Sequence, residues 1–255
     1  MKDSDAQIIS KDMVETHLRS VPLFSACSAD VIKNLAQGAV FQSHKKGKVL
    51  FIHEEQASRY YLICSGWVKI FRETLDGTQA VIDILSARHL VGDRAVLLDD
   101  KYPYSVEVVE NADVISLPSH ELKTELERNP QLAQAMMKLM AQEHKQQVSE
   151  IEHLSIQNAP QRIGCFLLRL TTQGQKGRVK IHLPYDKTLI ASRLGMQPET
   201  FSRALKKLKK ETGIEVKGAT VLIEDLQRLS DFSCAMCSSN YPCKDLTKKC
   251  SGACQ

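Results

Sequence analysis

Cysteine is the residue type this chain distributes most unevenly. Cys234, Cys237, Cys243, Cys250 and Cys254 fall within the last 22 residues, whereas the preceding 233 hold three, Cys27, Cys64 and Cys165. Four thiolates close a zinc or iron–sulfur site, and the tail supplies five. The spacing Cys234-x2-Cys237 is a common chelating start, but the intervals that follow match no single pattern. Lys244, Lys248 and Lys249 favour thiolates and offset their charge. Zinc, an iron–sulfur centre, a thiol redox site and a solvated tail with incidental cysteines are all compatible with this pattern. Cys64 and Cys165 stand in apolar strand and helix contexts and read as core residues.

A second group lies in DKTLIASRLGMQPETFSRALKKLKK. Ala191 and Gly195, four apart, permit two helices to approach closely and turn sharply. Pro198 suits a first helical turn, and Gln197 is placed to cap it. Phe201, Leu205 and Leu208 form an apolar stripe at i, i+4 and i+7, while Glu199, Ser202, Arg203, Lys206 and Lys210 face away. A helix entering the DNA major groove needs this division, with base-reading groups near its N-terminus and phosphate-binding lysines behind. Arg203 can pair bidentately with guanine, Glu199 can accept from cytosine N4, and Ser202 can reach a base edge. Thr188 and Thr200 complete the expected DNA-facing set. Between 197 and 217 there are six Lys/Arg and three Asp/Glu, so positive charge is concentrated here although the chain's formal charge is only +4.

These groups must be positioned by the rest of the 255 residues, enough for two domains. Short helices are expected over 12–21 and 28–37, with Val21, Leu23 and Phe24 as core anchors. From Val40 to Pro118, β-branched and aromatic runs alternate with turn signals at Gly47, Gly66, Gly77 and Gly92, which predicts an antiparallel barrel or roll. Asp76-Gly77-Thr78 is a hairpin turn. Residues 130–157 read as one long helix, with Met136, Met140, Gln147, Ile151 and Leu154 as a coiled-coil seam between two subunits, the alternative being a helix packed along its own barrel. Pro160 ends it. A helix, a strand, the helix-turn-helix and a strand pair then form a winged module. The expected division is 1–128 sensory roll, 129–158 dimerisation helix, 159–230 DNA-binding domain and 231–255 cysteine tail, in an α+β fold.

The acidic N-terminus lacks the apolar core of a signal peptide, and no stretch approaches the ~20 apolar residues of a membrane helix. A cytoplasmic protein is expected. A thiol oxidoreductase would place CxxC at the start of a helix in a βαβ setting, which is missing here. No nucleophile–base pair, phosphate loop or paired carboxylates stand out, so no catalytic residues and no enzyme are expected.

Roll, long helix and winged helix-turn-helix, in this order over residues 15–230, resemble the Crp/Fnr superfamily of transcription regulators. YYLICSGWVKIFRETLDG is similar to its roll signature, and QPETFSRALKKL to its recognition helix. LSIQNAPQRIGCFLLRL together with QPETFSR resembles the DNR-type branch of heme-based, nitric-oxide-responsive regulators. The pattern Glu199 to Arg203 resembles the Fnr-type reader, which implies palindromes with TTGAT half-sites, a homodimer and RNA polymerase as a partner. In cyclic-nucleotide-binding members, a Gly-Glu holds the ribose and an Arg-Ser the phosphate. The matching positions are Gly92-Asp93 and Tyr104-Ser105, the candidate effector pocket, where the loss of the guanidinium removes a bidentate partner. Heme, the second cofactor the resemblance implies, has eight histidines to draw on, and His144 is singled out by its place near the seam. The family's oxygen sensor carries its cluster cysteines near the N-terminus, so ligand positions do not transfer to this tail. The expected signal is therefore redox or gas, read by an iron–sulfur centre or thiols in the tail; heme, cAMP-type control and a zinc appendage are the alternatives.

Overall fold

A computed structural model describes residues 6–7, 11–98, 100–171, 177–184, 186–235 and 237–238. Its contacts divide into two compact units, Met1–Met140 and Ala141–Gln255.

In the first unit, β1 (Ala6–Gln7), α1 (Lys11–Arg19) and α2 (Ala29–Leu35) precede the roll. Its strands are β2 (Val40–His44), β3 (Val49–Phe51), β4 (Arg59–Ile63), β5 (Trp67–Glu73), β6 (Gln79–Leu85) and β7 (Leu90–Val91). After a 3₁₀ turn at Asp93–Leu97 come β8 (Ser105–Glu110) and β9 (Ala112–Pro118), then helices α3 (Ser119–Arg128) and α4 (Pro130–Ile156). They form two antiparallel sheets, β1-β2-β9-β4-β7 and β3-β8-β5-β6.

The two-residue period of a strand sends alternate side chains to opposite faces. Along β4, Tyr60 and Leu62 join a core with α1, α2, α3 and the start of α4, while Ile63 joins the core between the sheets. The pairing Leu62↔Ile115 and Ile63↔Val114 continues both layers into β9. Val21, Leu23 and Phe24 are buried as expected. Gly66, with positive φ, lies so close to the Asn111 carbonyl and Ala112 that no side chain fits.

The seam assigned to α4 needs one correction. Met136 is 1% exposed and packs, with Leu132, into the helical core of the first unit. The outward residues are Met137, Met140, His144, Gln147, Ile151 and Leu154, at alternating spacings of three and four. Both stripes obey helical periodicity, and the sequence cannot distinguish an intrachain face from an interchain one.

The second unit carries the later part of α4 and α5 (Ala159–Arg169), β10 (Val179–His182), α6 (Lys187–Arg193), α7 (Pro198–Thr212), β11 (Glu215–Lys217), β12 (Thr220–Ile223) and α8 (Leu226–Cys234). A capping box opens α5. Asn158 Oδ1 accepts from Gln161 N–H at 3.1 Å, and Gln161 Oε1 accepts from Asn158 N–H at 3.1 Å. The wing orders its strands β10-β12-β11. Helix α8, unanticipated in the sequence, occupies the start of the stretch read as tail. Its Leu226, Leu229, Ser230 and Ser233 are buried. Among the described residues no helix is long and apolar enough to cross a membrane.

Candidate nucleic-acid interface and thiol cluster

Helices α6 and α7 form the expected helix-turn-helix. Asp186 caps α6, accepting from Thr188 N–H at 2.9 Å. Ala191 is fully buried, and its carbonyl accepts from Met196 N–H at 3.0 Å across the turn at Gly195. Phe201, Ala204 and Leu208 seat α7 inward, with Leu205 half-buried beside them. Glu199, Ser202, Arg203, Lys206 and Lys210 are exposed, as is Thr188, and Thr200 is half-buried. Gln197 occupies the capping position, but its side chain makes no cap hydrogen bond, so the helix start relies on Pro198.

Glu150, on α4, fixes this module from behind. Both its oxygens accept from Arg193 Nη2 of α6, at 2.9 and 3.0 Å, and Arg169 of α5 pairs with the same carboxylate. Arg162 donates to the Leu194 carbonyl at 3.0 Å. The turn between α6 and α7 is thus held by side chains from α4 and α5.

The effector-pocket residues meet, but without the disposition of a nucleotide site. Gly92, at φ 80°, donates its N–H to Tyr104 Oη at 3.3 Å, and Ser105 Oγ accepts from His53 N–H at 2.9 Å. Phe51 stacks on Tyr102 with centroids 3.8 Å apart and lies within 6.0 Å of Tyr104. A tyrosine therefore stands where a phosphate-binding guanidinium would be needed. Asp93 is fully buried, and neither of its oxygens has a partner among the described residues. Burial raises its carboxyl pKa, with Arg94 opposing, and its charge helps push the buried Tyr60 phenol up.

Of the candidate metal ligands, Cys243, Cys250 and Cys254 lie outside the described residues. Cys234 and Cys237 are half-buried at the end of α8. Cys237 Sγ is 3.1 Å from Nε2 of His153, and the opposite ring nitrogen, Nδ1, is 3.7 Å from Sγ of Cys165. Cys165 is therefore more than a core residue. Its thiol is pushed up to about 11, chiefly by burial, with Arg169 opposing and Cys234 and Cys237 adding to the rise. By contrast, Cys64 is pushed up to about 12 by burial and Asp113, with no thiol neighbour among the causes. His144, singled out in the sequence, is exposed, and His153 is the histidine drawn into a cluster.

The described groups alone do not assemble a metal centre. Of the described candidate ligands, Cys237 meets Nε2 of His153, while Cys165 lies on the opposite side of the ring. Among the described residues no three His, Cys, Asp or Glu side chains are arranged to hold an ion.

A β-roll, a long helix and a winged helix-turn-helix with an outward basic helix define a two-module transcription regulator. A Cyclic nucleotide-binding domain model matches residues 41–129, and a Crp-like helix-turn-helix domain model matches residues 161–232. The fumarate and nitrate reduction regulatory protein of Vibrio cholerae is 31% identical over 192 residues, 74% of this chain and 76% of its own. A solved structure from Ruegeria pomeroyi is 32% identical at TM-score 0.66, covering 88% of this chain and 99% of that one. DNR from Pseudomonas aeruginosa is 29% identical at TM-score 0.50, covering 89% and 100%. The chain belongs to the Crp/Fnr family of transcription regulators, and its relatives are regulators, not enzymes.

Proposed function

We propose that this regulator binds DNA as a homodimer, reads palindromes with TTGAT-like half-sites through α7, and takes its signal from redox state at the tail thiols. The carrying observation is the division of α7, with Phe201, Ala204 and Leu208 buried and Glu199, Ser202 and Arg203 exposed on its first turns. Arg203 would read guanine, Glu199 and Ser202 the adjoining edges, with Thr188, Thr200, Lys206 and Lys210 on the phosphates. The exposed stripe on α4, with Met137 at 62%, Ile151 at 65% and Leu154 at 54%, supports dimerisation, which would present two α7 helices to a two-fold site. RNA polymerase would be the downstream partner in the cytoplasm.

The name of the Vibrio relative, fumarate and nitrate reduction regulatory protein, supports a signal linked to electron-acceptor supply. Among the described groups, the contact of Cys237 with His153 favours thiol chemistry over an iron–sulfur centre, zinc or heme. Tyr104, standing where a phosphate-binding guanidinium would be needed, weighs against cyclic-nucleotide control.

The test is anisotropy with a fluorescent TTGAT palindrome and with operators substituted at single base pairs. Arg203→Ala should lose ~1–3 kcal/mol on the intact operator and lose preference at one base pair. Lys210→Ala should weaken all operators equally. Undiminished sequence preference in Arg203→Ala would refute the α7 assignment.

A further inference from the structure

The CxxC of the chain begins not in a free tail but in a docked turn. Helix α8 approaches α5 at Gly164, where a Cβ would collide with Ser233 Oγ. The Gln157 and Gln161 amides donate to the carbonyls of Ser233 at 3.3 Å and Phe232 at 3.4 Å. Beyond the helix, Ser238 N–H donates to Glu152 Oε1 at 3.2 Å. These bonds hold Cys237 against His153, whose exposure is 7%, and the far nitrogen of that ring meets Cys165, whose exposure is 6%. Cys237 N–H donates to the Cys234 carbonyl at 3.0 Å, so both half-buried thiols share one turn.

We propose that Cys237, His153, Cys234 and Cys165 form a hydroperoxide-reactive dithiol site. Cys237 is the attacking sulfur, Cys234 the resolving one, and Cys165 positions the imidazole. The regulatory meaning of this site rests on the redox reading above; its chemistry does not. With Nδ1–H donating to Cys165 Sγ, the lone pair on Nε2 faces Cys237. Cys237 Sγ attacks the terminal oxygen of a hydroperoxide. The S–O bond forms as the O–O bond breaks, and the thiol proton passes through Nε2 to the departing oxygen, which leaves as alcohol or water. The sulfur is oxidised to a sulfenic acid and the peroxide reduced. Cys234 Sγ then attacks that sulfur, and its proton leaves with the hydroxyl group as water. Two thiols and one hydroperoxide thus yield one disulfide, one alcohol or water, and one water. Closing that bond draws Cys237 away from His153 and alters the contact between the turn after α8 and α4.

The experiment gives full-length, reduced protein, its metal content assayed first, one equivalent of cumene hydroperoxide, then alkylates free thiols and maps peptides by mass spectrometry. The expected first product is a Cys234–Cys237 disulfide, with two thiols lost per peroxide. Cys234→Ser should stop at a sulfenic acid on Cys237, trapped by dimedone, and Cys237→Ser should abolish both products. His153→Gln, checked for an unchanged melting curve, should slow the reaction about tenfold or more. Cys165→Ala should shift the pH–rate profile, a change that loss of packing alone would not produce. First oxidation at Cys243, Cys250 or Cys254, an unchanged rate in His153→Gln, or a stoichiometric metal released by Cys237→Ser would each overturn the proposal. Operator affinity of the oxidised sample separates the two readings. A Cys234–Cys237 bond that leaves affinity unchanged upholds the site and refutes redox control.

Discussion

Gly164 and Ser233 offer a sharp test of how α8 is seated. Replacing Gly164 by Ala should gain ~1 kcal/mol from helix propensity inside α5. The new Cβ would overlap Ser233 Oγ, stand 3.1 Å from Ser233 Cβ and lie 3.4 Å from Leu229 Cδ1. Overpacking of this kind costs ~1–3 kcal/mol, so Gly164→Ala alone should be neutral to about 2 kcal/mol less stable. Ser233 Oγ is buried and has no hydrogen-bond partner among the described residues. Its removal in Ser233→Ala relieves a desolvation cost of ~1–3 kcal/mol against a small packing loss and should leave stability unchanged or raised. In the double variant the hydroxyl that blocked the methyl is gone, and the propensity gain should surface. Urea melts of all four proteins give the coupling, expected at ~1–3 kcal/mol in favour of the pair. Strict additivity would show that α8 does not lie against α5 at this point. The placement of Cys237 beside His153 would then lose its support.

Other outcomes follow from neighbouring features. Ile151→Asp, in the exposed stripe of α4, should convert a dimer to a monomer in light scattering and reduce operator affinity at matched concentration. The raised Asp93 pKa predicts stability that is full below the ordinary aspartate value of about 3.9 and lost as pH rises through the folded value; Asp93→Asn should flatten that fall in thermal melts across pH. Glu150→Gln leaves Arg169 and Arg193 without their carboxylate and should destabilise the second unit by ~1–3 kcal/mol, seen in proteolysis or calorimetry. A chain ending at Asp231 would lack the buried Ser233 of α8 and should melt at a lower temperature than one ending at Ser238, which keeps the whole helix.

The helix-turn-helix was legible because its signals are local. Ala191, Gly195 and Pro198 mark the turn within eight residues, and the spacing of Phe201 and Leu208 identifies the inward face. The roll was legible from its glycine-punctuated strands for the same reason. Periodicity alone could not decide whether Met136 faced its own chain or a partner, because both surfaces share the helical repeat. Helix α8 leaves little trace in the sequence because only Leu226 and Leu229 mark its buried side, and its docking surface on α5 lies far back in the chain. The thiol cluster is less local still, joining Cys237 to a histidine 84 residues away. A cysteine embedded in the apolar QRIGCFLLRL looks like packing until its neighbour in space is known.

The shared carboxylate of Glu150 also bears on how strongly salt should weaken operator binding. Arg169 and Arg193 are committed to it, which withdraws two guanidiniums from those able to displace cations condensed on DNA. Each phosphate neutralised contributes about −0.9 to the slope of log affinity against log salt. That slope should therefore count exposed side chains such as Lys206 and Lys210, not the chain's full complement of basic residues. Glu150 partitions the positive charge into a share that holds the module together and a share that ion release can report.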